Sequence, residues 1–238
     1  MTTALEVRRL FNVTQETRFH FNHWFSGRKH VVAQVMAHES VAVHRITPDE
    51  VEAACRSAPR PGPTDVPEIR DWRPDHAFTH VAHHVVETLG RLPGWPEFRE
   101  FCAADERARD MLWTPAREVS AEVGPQGRAA LRNRVVSDFL GFLRDVHVLA
   151  VLRGHGLDVR VHPLADTVFK VDAWVGRLIL NPRGGGQRSE DLLVHAMPPF
   201  FFTDLGVTEF TQVGAALLPS RAHLDRAARR LLGVLHPA

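Results

Sequence analysis

The feature that most constrains the fold is a change of hydrophobic periodicity that begins near residue 128. Residues 128–156 place apolar side chains at helical spacing and end in two glycines, which predicts a long amphipathic helix. Three short β-prone segments follow directly, at 157–164, 167–175 and 177–182, and only Gly176 separates the last two, as in a tight hairpin or bulge. A sheet of this kind needs helices packed against it to bury its apolar face, so residues 128–238 are predicted to form an α/β domain.

The first half of the chain is predicted to be a helical region, 1–120. Helices are expected at 4–25, 28–44, 47–58, 74–92 and 96–113, and a proline-rich loop at 56–75 divides them. Thr47 and Glu50 have the spacing of a capping box, and Asp75 and Gly90 are expected to cap and stop the 74–92 helix. The whole chain is therefore predicted to be mixed α+β.

Composition excludes several classes of protein. The 238 residues carry 29 basic and 28 acidic side chains, so bulk charge does not indicate a polybasic nucleic-acid binder. The two cysteines form no disulfide or zinc pattern, and the chain contains no tyrosine. No apolar run reaches the ~20 residues of a membrane span, and the first residues lack a signal-peptide core. We expect a cytoplasmic protein of bacterial composition that does not enter a membrane.

The first candidate site lies in the predicted strand 167–175. Alternation places Lys170, Asp172 and Trp174 on one face of that strand, and Asp158 and Asp166 lie on neighbouring segments. Converging carboxylates bind Mg²⁺, and a lysine beside them contacts a phosphate or helps to activate water. The alternative interpretation is an ordinary ion pair on the solvent face of a half-buried strand.

The order of elements supplies a resemblance. After the three strand candidates the sequence predicts a helix at 189–197, a strand at 207–214 and a helix at 220–235 capped by Ser220. Together with "FKVDAWV", this order resembles the core of the PD-(D/E)XK nuclease-like superfamily. The resemblance covers about 128–235 and implies a restriction-endonuclease-like core.

The resemblance also implies a function and its residues. It implies Mg²⁺-dependent cleavage of nucleic acid, with Asp172 as the first acid of the family's motif. Asp166 is the second predicted metal ligand because it lies on a neighbouring segment. Lys170 and Asp172 are then the predicted catalytic residues. Asn181 and Arg183 stand where the family's (D/E)xK acid and lysine belong. A non-catalytic scaffold is therefore a further alternative, with a protein partner or a second copy bound at the arginines of the last helix (Arg221, Arg226, Arg229 and Arg230).

Histidines form the second candidate site. His76, His80, His83, His84 and Glu87 recur at helical spacing, and such a stripe can bind Zn or Fe through imidazole nitrogens. His20 and His23 on an earlier predicted helix would complete that site. This pattern predicts, as an alternative function, a helical metal-binding protein or oxidoreductase. The competing interpretation is that the stripe is the solvated face of an amphipathic helix.

Two further segments have a ligand-binding and a structural interpretation. The glycine-rich loop "NPRGGGQRSED" (181–191) opens a predicted helix, where backbone amides bind phosphate, and Arg183 and Arg188 are its predicted phosphate contacts. It lacks the GK[ST] of a P-loop and is otherwise a flexible connection. Phe200, Phe201 and Phe202 either stack on bases or belong to the core.

The magnesium prediction is tested by replacing its central ligand. Asp172→Ala should abolish metal-dependent cleavage of nucleic acid without unfolding the protein, because a carboxylate ligand is lost and a methyl group remains. Cleavage is measured on labelled oligonucleotides with added Mg²⁺, and circular dichroism checks the fold. Cleavage at the wild-type rate would show that Asp172 is not a ligand.

Overall fold

The computed structural model describes residues 1–11, 29–169, 171–181 and 200–235, and these form a mixed α+β fold. Its helices are α1 (Ala4–Leu10), α2 (Lys29–Met36), α3 (Pro48–Ser57), α4 (Pro67–Arg70), α5 (Phe78–Leu89), α6 (Trp95–Ala104), α7 (Glu106–Ala108), α8 (Thr114–Val123), α9 (Pro125–Gly154), α10 (Pro163–Phe169) and α11 (Arg221–Leu235). A π-helical segment, Arg109–Trp113, joins α7 to α8. Among the described helices, none combines the length and the apolar character that crossing a membrane requires.

The 30-residue helix α9 is the centre of the fold. It contacts α3, α4, α5, α8 and α11 and strand β7 (Ala216–Pro219). Its side chains Phe139, Leu143 and Leu152 are among the largest that are fully buried. The helix predicted at 128–156 is therefore confirmed, and it begins a few residues earlier, at Pro125. Its amphipathic character is not confirmed throughout, because seven consecutive residues, 146–152, are all buried. The cluster around α9 takes buried residues from Ala42 to Leu231, so both predicted regions contribute to one core.

Several local predictions of helix ends are confirmed. Thr47 and Glu50 form the capping box at the start of α3: the Glu50 amide donates to Thr47 Oγ1 at 3.3 Å, and the Thr47 amide donates to Glu50 Oε2 at 2.7 Å. Gly90 ends α5 in the left-handed region at φ 70°. Ser220 Oγ accepts from the His223 amide at the start of α11. Asp75 does not cap α5, because that helix begins three residues later at Phe78 and its N-cap is Ala77.

The larger sheet is built from three strands. β3 (Ala173–Val175) and β4 (Leu178–Asn181) form an antiparallel hairpin, and Gly176 has the positive φ of 56° that its tight turn requires. β5 (Phe201–Asp204) pairs in parallel with β4, so the order is β3-β4-β5. The predicted hairpin around Gly176 is thus confirmed. The other described sheets are two-stranded pairs.

The two small sheets depart from the sequence predictions. β1 (Thr2–Thr3) pairs with β2 (Glu39–Ser40), so the first half of the chain is not entirely helical. The strand predicted at 207–214 is β6 (Phe210–Val213), and it forms a hairpin with β7. Gly214 makes this turn at φ 56° and lies so close to the Cys55 carbonyl that a Cβ would clash at 2.6 Å. Strand β7 was not predicted.

Two predicted strands are wrong over much of their length. The segment 157–164 contains only an isolated bridge from Arg160 to Trp174, and the segment 167–175 becomes a strand only at Ala173. Helix α10 instead takes up the end of the first segment and the start of the second, and Pro163 can begin it because the first turn needs no proline N–H. Leu164, Ala165 and Phe169 of this helix are buried against Phe11 and Trp174, so tertiary packing overrides the β-branched pattern.

Because α9 lies at the centre of the core, two leucine-to-alanine substitutions should have unequal effects on the free energy of unfolding. Leu143→Ala removes a side chain that is 0% exposed, whereas Leu217→Ala acts on one that is 54% exposed. The first should lower the free energy of unfolding by about 2–5 kcal/mol because it leaves a cavity, and the second by less than about 0.5 kcal/mol. Urea unfolding followed by circular dichroism measures both. Equal losses would show that α9 is not the centre of the core.

Candidate functional site

A small inner pocket brings the two sequence-predicted sites together. Helix α5 supplies His80 and His83 to its wall, and α10 and the residue before β3 supply Asp166 and Asp172. The pocket has a volume of about 80 Å³ and is also lined by His162 from the segment before α10 and by Asp145 from α9. Sequence reasoning treated the carboxylates and the histidines as alternatives, and the fold places both in one wall.

A larger cleft adjoins the inner pocket. Its volume is about 660 Å³, and it shares Thr79, His80, Phe142 and Asp166 with the inner pocket. Its remaining wall contains aromatic, basic and acidic side chains, among them Trp72, Phe78, Arg73, Arg134, Arg144, Asp75 and Asp138. The cleft is large enough for a ligand of nucleotide size.

His80 occupies the boundary between the cleft and the inner pocket. Its Nε2 lies 2.9 Å from Thr167 Oγ1 and 3.4 Å from Asp166 Oδ2. Thr79 Oγ1 donates to the same carboxylate oxygen at 3.4 Å. The imidazole is 5% exposed, and its buried Nδ1 has no hydrogen-bond partner among the described residues. His80 is therefore held against a carboxylate at the floor of the cleft.

The four histidines of the predicted stripe are buried, so their interpretation as a solvated helix face is wrong. None of His76, His80, His83 and His84 is more than 9% exposed. His76 lies before α5, and the other three lie on it. Their faces meet α7, α10 and the β2 segment instead of solvent, which periodicity alone does not reveal because a polar stripe is typical of a surface.

The buried imidazoles pack against one another and against polar partners. The ring of His38 lies 5.7 Å from that of His83 and 5.8 Å from that of His84, and His162 lies 6.5 Å from His83. His83 Nε2 is 3.2 Å from Ser40 Oγ, and His84 Nε2 is 3.0 Å from Asp105 Oδ1. Sequence analysis did not identify His38, His162 or Asp145, because they lie far from α5 along the chain and match no motif.

Glu87 anchors the β2–α3 connection, which lies beside the buried histidines. Its carboxylate accepts hydrogen bonds from the amides of Val41, Ala42 and Val43 at 3.0, 2.8 and 3.0 Å. Three backbone donors on one carboxylate form a charge-assisted anchor. The anchor joins the β2–α3 connection to the last turn of α5 and so holds Ser40 beside His83.

Burial keeps several of these imidazoles neutral. It lowers the pKa of His38 to about 3, and the nearby Arg107 guanidinium adds to that effect. Burial also lowers the pKa of His83 well below its ordinary value, with further contributions from His38 and His162. The pKa of His162 is lowered by burial as well. Neutral imidazoles accept protons, but this cluster resists carrying a positive charge.

The described donors do not form a ready metal site. Among the residues that the structure describes, no three His, Cys, Asp or Glu side chains are arranged to hold an ion. Asp166 instead contacts His80 and Thr79, and His84 faces Asp105. Magnesium at Asp166 and Asp172, and zinc or iron at the histidines, stay predictions.

Part of the predicted site falls outside the described residues. This applies to Lys170, to Arg183 and Arg188 with the glycine-rich loop and the 189–197 helix, and to His20 and His23. Asp158 is described but lies elsewhere: its carboxylate pairs with Arg160 at 2.8 Å and does not line the inner pocket.

Comparison of the chain with models of protein families, with curated proteins and with solved structures finds no match.

The buried histidines predict a loss of stability in acid. Their folded pKa lies below the unfolded value of ~6.5, and for His38 it is about 3, so the unfolded state binds more protons as the pH falls below ~6.5. Stability is fully present above pH ~6.5 and falls as the pH drops, by roughly 2 kcal/mol between pH 7 and pH 5 for a histidine shifted as far as His38. Urea unfolding at several pH values measures this slope.

His83→Gln should make the slope shallower, because glutamine keeps a polar partner for Ser40 but does not titrate. Leu143→Ala is the control: it lowers stability at every pH and removes no titrating group. If stability falls with pH as steeply in His83→Gln as in the wild type, His83 does not have a lowered pKa in the folded protein.

Proposed function

We propose that the chain is a hydrolase of phosphate esters, with a nucleotide or nucleic acid as substrate and the cleft as its binding site. The observation that carries the proposal is the contact of His80 with Asp166 at the floor of that cleft. An imidazole in contact with a carboxylate is a common arrangement for proton transfer, and this pair is the group to which we assign that role.

The cleft wall has the chemistry to bind such a substrate. Arg73, Arg134 and Arg144 provide guanidinium groups for phosphate, and Trp72 and Phe78 provide faces on which bases stack. Arg134 lies over the Trp72 ring at 5.6 Å and is anchored to the Arg70 carbonyl at 2.8 Å. Arg134 and Trp72 are therefore held against each other before a ligand binds.

The resemblance to PD-(D/E)XK nucleases supports the same substrate class. Under this proposal β3-β4-β5 with α9 corresponds to the family's core, and Asp172 beside the inner pocket corresponds to its first acid. β4 ends in Asn181, where the family carries an acid. A site of this kind is a degenerate nuclease site, and His80 with Asp166 supplies acid–base chemistry that the missing motif would otherwise provide.

The proposal is tested by removing the imidazole. His80→Gln should reduce the cleavage of labelled single-stranded oligonucleotides by about 100-fold or more, because general acid–base catalysis contributes at least that factor. Rates are measured with Mg²⁺, with Mn²⁺ and with EDTA. Loss of activity in EDTA would support the magnesium prediction, and retained activity would show that the protein's own side chains suffice.

The matched control is His155→Gln. His155 Nε2 contacts Asp225 Oδ1 at 2.7 Å, so it is also a histidine–carboxylate pair, but it does not line the cleft. Its variant should cleave like the wild type. Undiminished cleavage by His80→Gln would overturn the proposal. Zinc or iron bound stoichiometrically in the wild type and lost in His80→Ala would favour the metal-binding alternative. If the protein neither cleaves nucleic acid nor binds a nucleotide, that result would favour the scaffold alternative.

A further inference from the structure

One wall of the cleft is carried by a proline-rich segment that has little burial of its own. Residues 59–77 contribute five residues to this wall, all between Trp72 and Ala77. Along the segment only Ile69 and His76 have buried side chains, and the others are exposed or half-buried. Contacts with the helices beneath therefore decide where this wall of the cleft lies.

Arg134 of α9 ties the segment to the centre of the fold. Its Nη1 donates to the carbonyls of Ile69 and Arg70, the second at 2.8 Å. Both carbonyls belong to the last turn of α4, where a helix leaves carbonyl groups without intrahelical partners. The Arg134 side chain thus caps α4 and fixes the chain two residues before Trp72.

The guanidinium group of Arg134 also lies against the indole ring of Trp72. Its Cζ is 5.6 Å from the ring centre, and its Nε lies 3.6 Å from Asp138 Oδ2, one turn further along α9. Because Nη1 and Nε are both engaged by the protein, the plane of the guanidinium group is held. Trp72 is half-buried and packs against the core around α9. The cleft therefore presents two flat groups that are already in contact.

We propose that Trp72 and Arg134 form a stacking platform for one unpaired nucleobase, and that Arg134 is the positioning residue of this platform. The inference rests on the proposed function and narrows its substrate class. Indole rings and guanidinium planes both stack on bases, and every base has a face that can stack. The ligand is therefore single-stranded nucleic acid or a free nucleotide, with little preference among bases.

A base inside a duplex does not reach this platform. Neighbouring base pairs cover both of its faces, so it meets a protein ring only after it has left the stack, which costs free energy. The cleft, with a volume of about 660 Å³, has the size of a site for one small ligand and not for a double helix. The platform therefore selects single strands over duplexes.

The inference divides the arginines of the cleft by role. Arg134 acts on the base through the ring of Trp72, and its side chain is only 18% exposed. Arg144 lines the same cleft, is 44% exposed and has Asp145 as its ion-pair partner at 3.9 Å. Arg144 is therefore a phosphate contact that does not depend on Trp72, and the two arginines should differ in their coupling to the ring.

Binding to labelled DNA strands tests the platform. Their linkages are phosphorothioates, which keep the charge and resist cleavage, and fluorescence anisotropy measures the affinity. The wild type should bind the single strand at least about 10-fold more tightly than the same sequence in a duplex. Trp72→Leu keeps an apolar side chain but removes the flat ring, and should weaken single-strand binding by about 10-fold. Trp72→Phe restores a flat ring and should bind within about three-fold of the wild type.

Adenosine monophosphate distinguishes the two sources of an unpaired base. If it displaces the strand from the wild type but not from Trp72→Leu at the same concentration, one nucleotide is enough to occupy the platform. If it does not displace a strand whose binding depends on Trp72, the ligand is a strand of several nucleotides. Both results support the platform.

A double-mutant cycle tests the role of Arg134. Arg134→Met should weaken single-strand binding by about 10-fold in the wild type but hardly further in Trp72→Leu, because it acts through the ring. Arg144→Met is the matched control, and its loss of affinity should be the same in both backgrounds. Circular dichroism checks the fold of each variant. Equal losses from Arg134→Met in both backgrounds would show that Arg134 contacts the ligand independently and is not the positioning residue.

Failure of the inference differs from failure of the proposed function. If the wild type and Trp72→Leu bind single strand and duplex equally well, the platform is wrong, and the proposed hydrolase stands as long as His80→Gln loses cleavage. If the wild type binds neither strand, duplex nor nucleotide, the proposed function itself is overturned, and the inference with it.

Discussion

The rest of the structure depends on the burial of α9. A helix of 30 residues that is contacted by five other helices and a strand removes apolar surface from water along most of its length, and this burial is the main source of favourable free energy. Because α9 contacts elements from both halves of the chain, it also fixes how α5 lies relative to them. The cleft and the inner pocket both form where α9, α5 and α10 meet.

The same packing determines the state of the histidines. Burial removes hydration from these imidazoles, which lowers the pKa of His38, His83 and His162, and the buried polar atoms need partners from the protein. Ser40, Asp105 and Thr167 provide those partners for His83, His84 and His80. Part of the stability that the packing of α9 provides therefore offsets the cost of burying titratable groups. Such burial is common where proton transfer takes place.

The elements that sequence analysis predicted well are those controlled by local chemistry. A capping box at Thr47, a glycine stop at Gly90 and a hairpin turn at Gly176 each depend on residues a few positions apart. Prediction was wrong at 163–164 and 167–169, where the pattern favours strands and the structure has one helix. Pro163 starts this helix, and its apolar face is completed by Phe11 and Trp174 from distant segments, which a local pattern cannot represent.

Local sequence patterns were enough to predict a long central helix, a mostly helical first half with a capping box at Thr47, and two sets of side chains, acidic and imidazole, with site-like spacing. Packing between distant segments placed Asp166 and Asp172 in the same pocket as His80 and His83 and turned the histidine stripe inward. The reason is physical. Spacing along a helix fixes which residues share a face, but the elements packed against that face decide whether it meets water, a carboxylate or another imidazole.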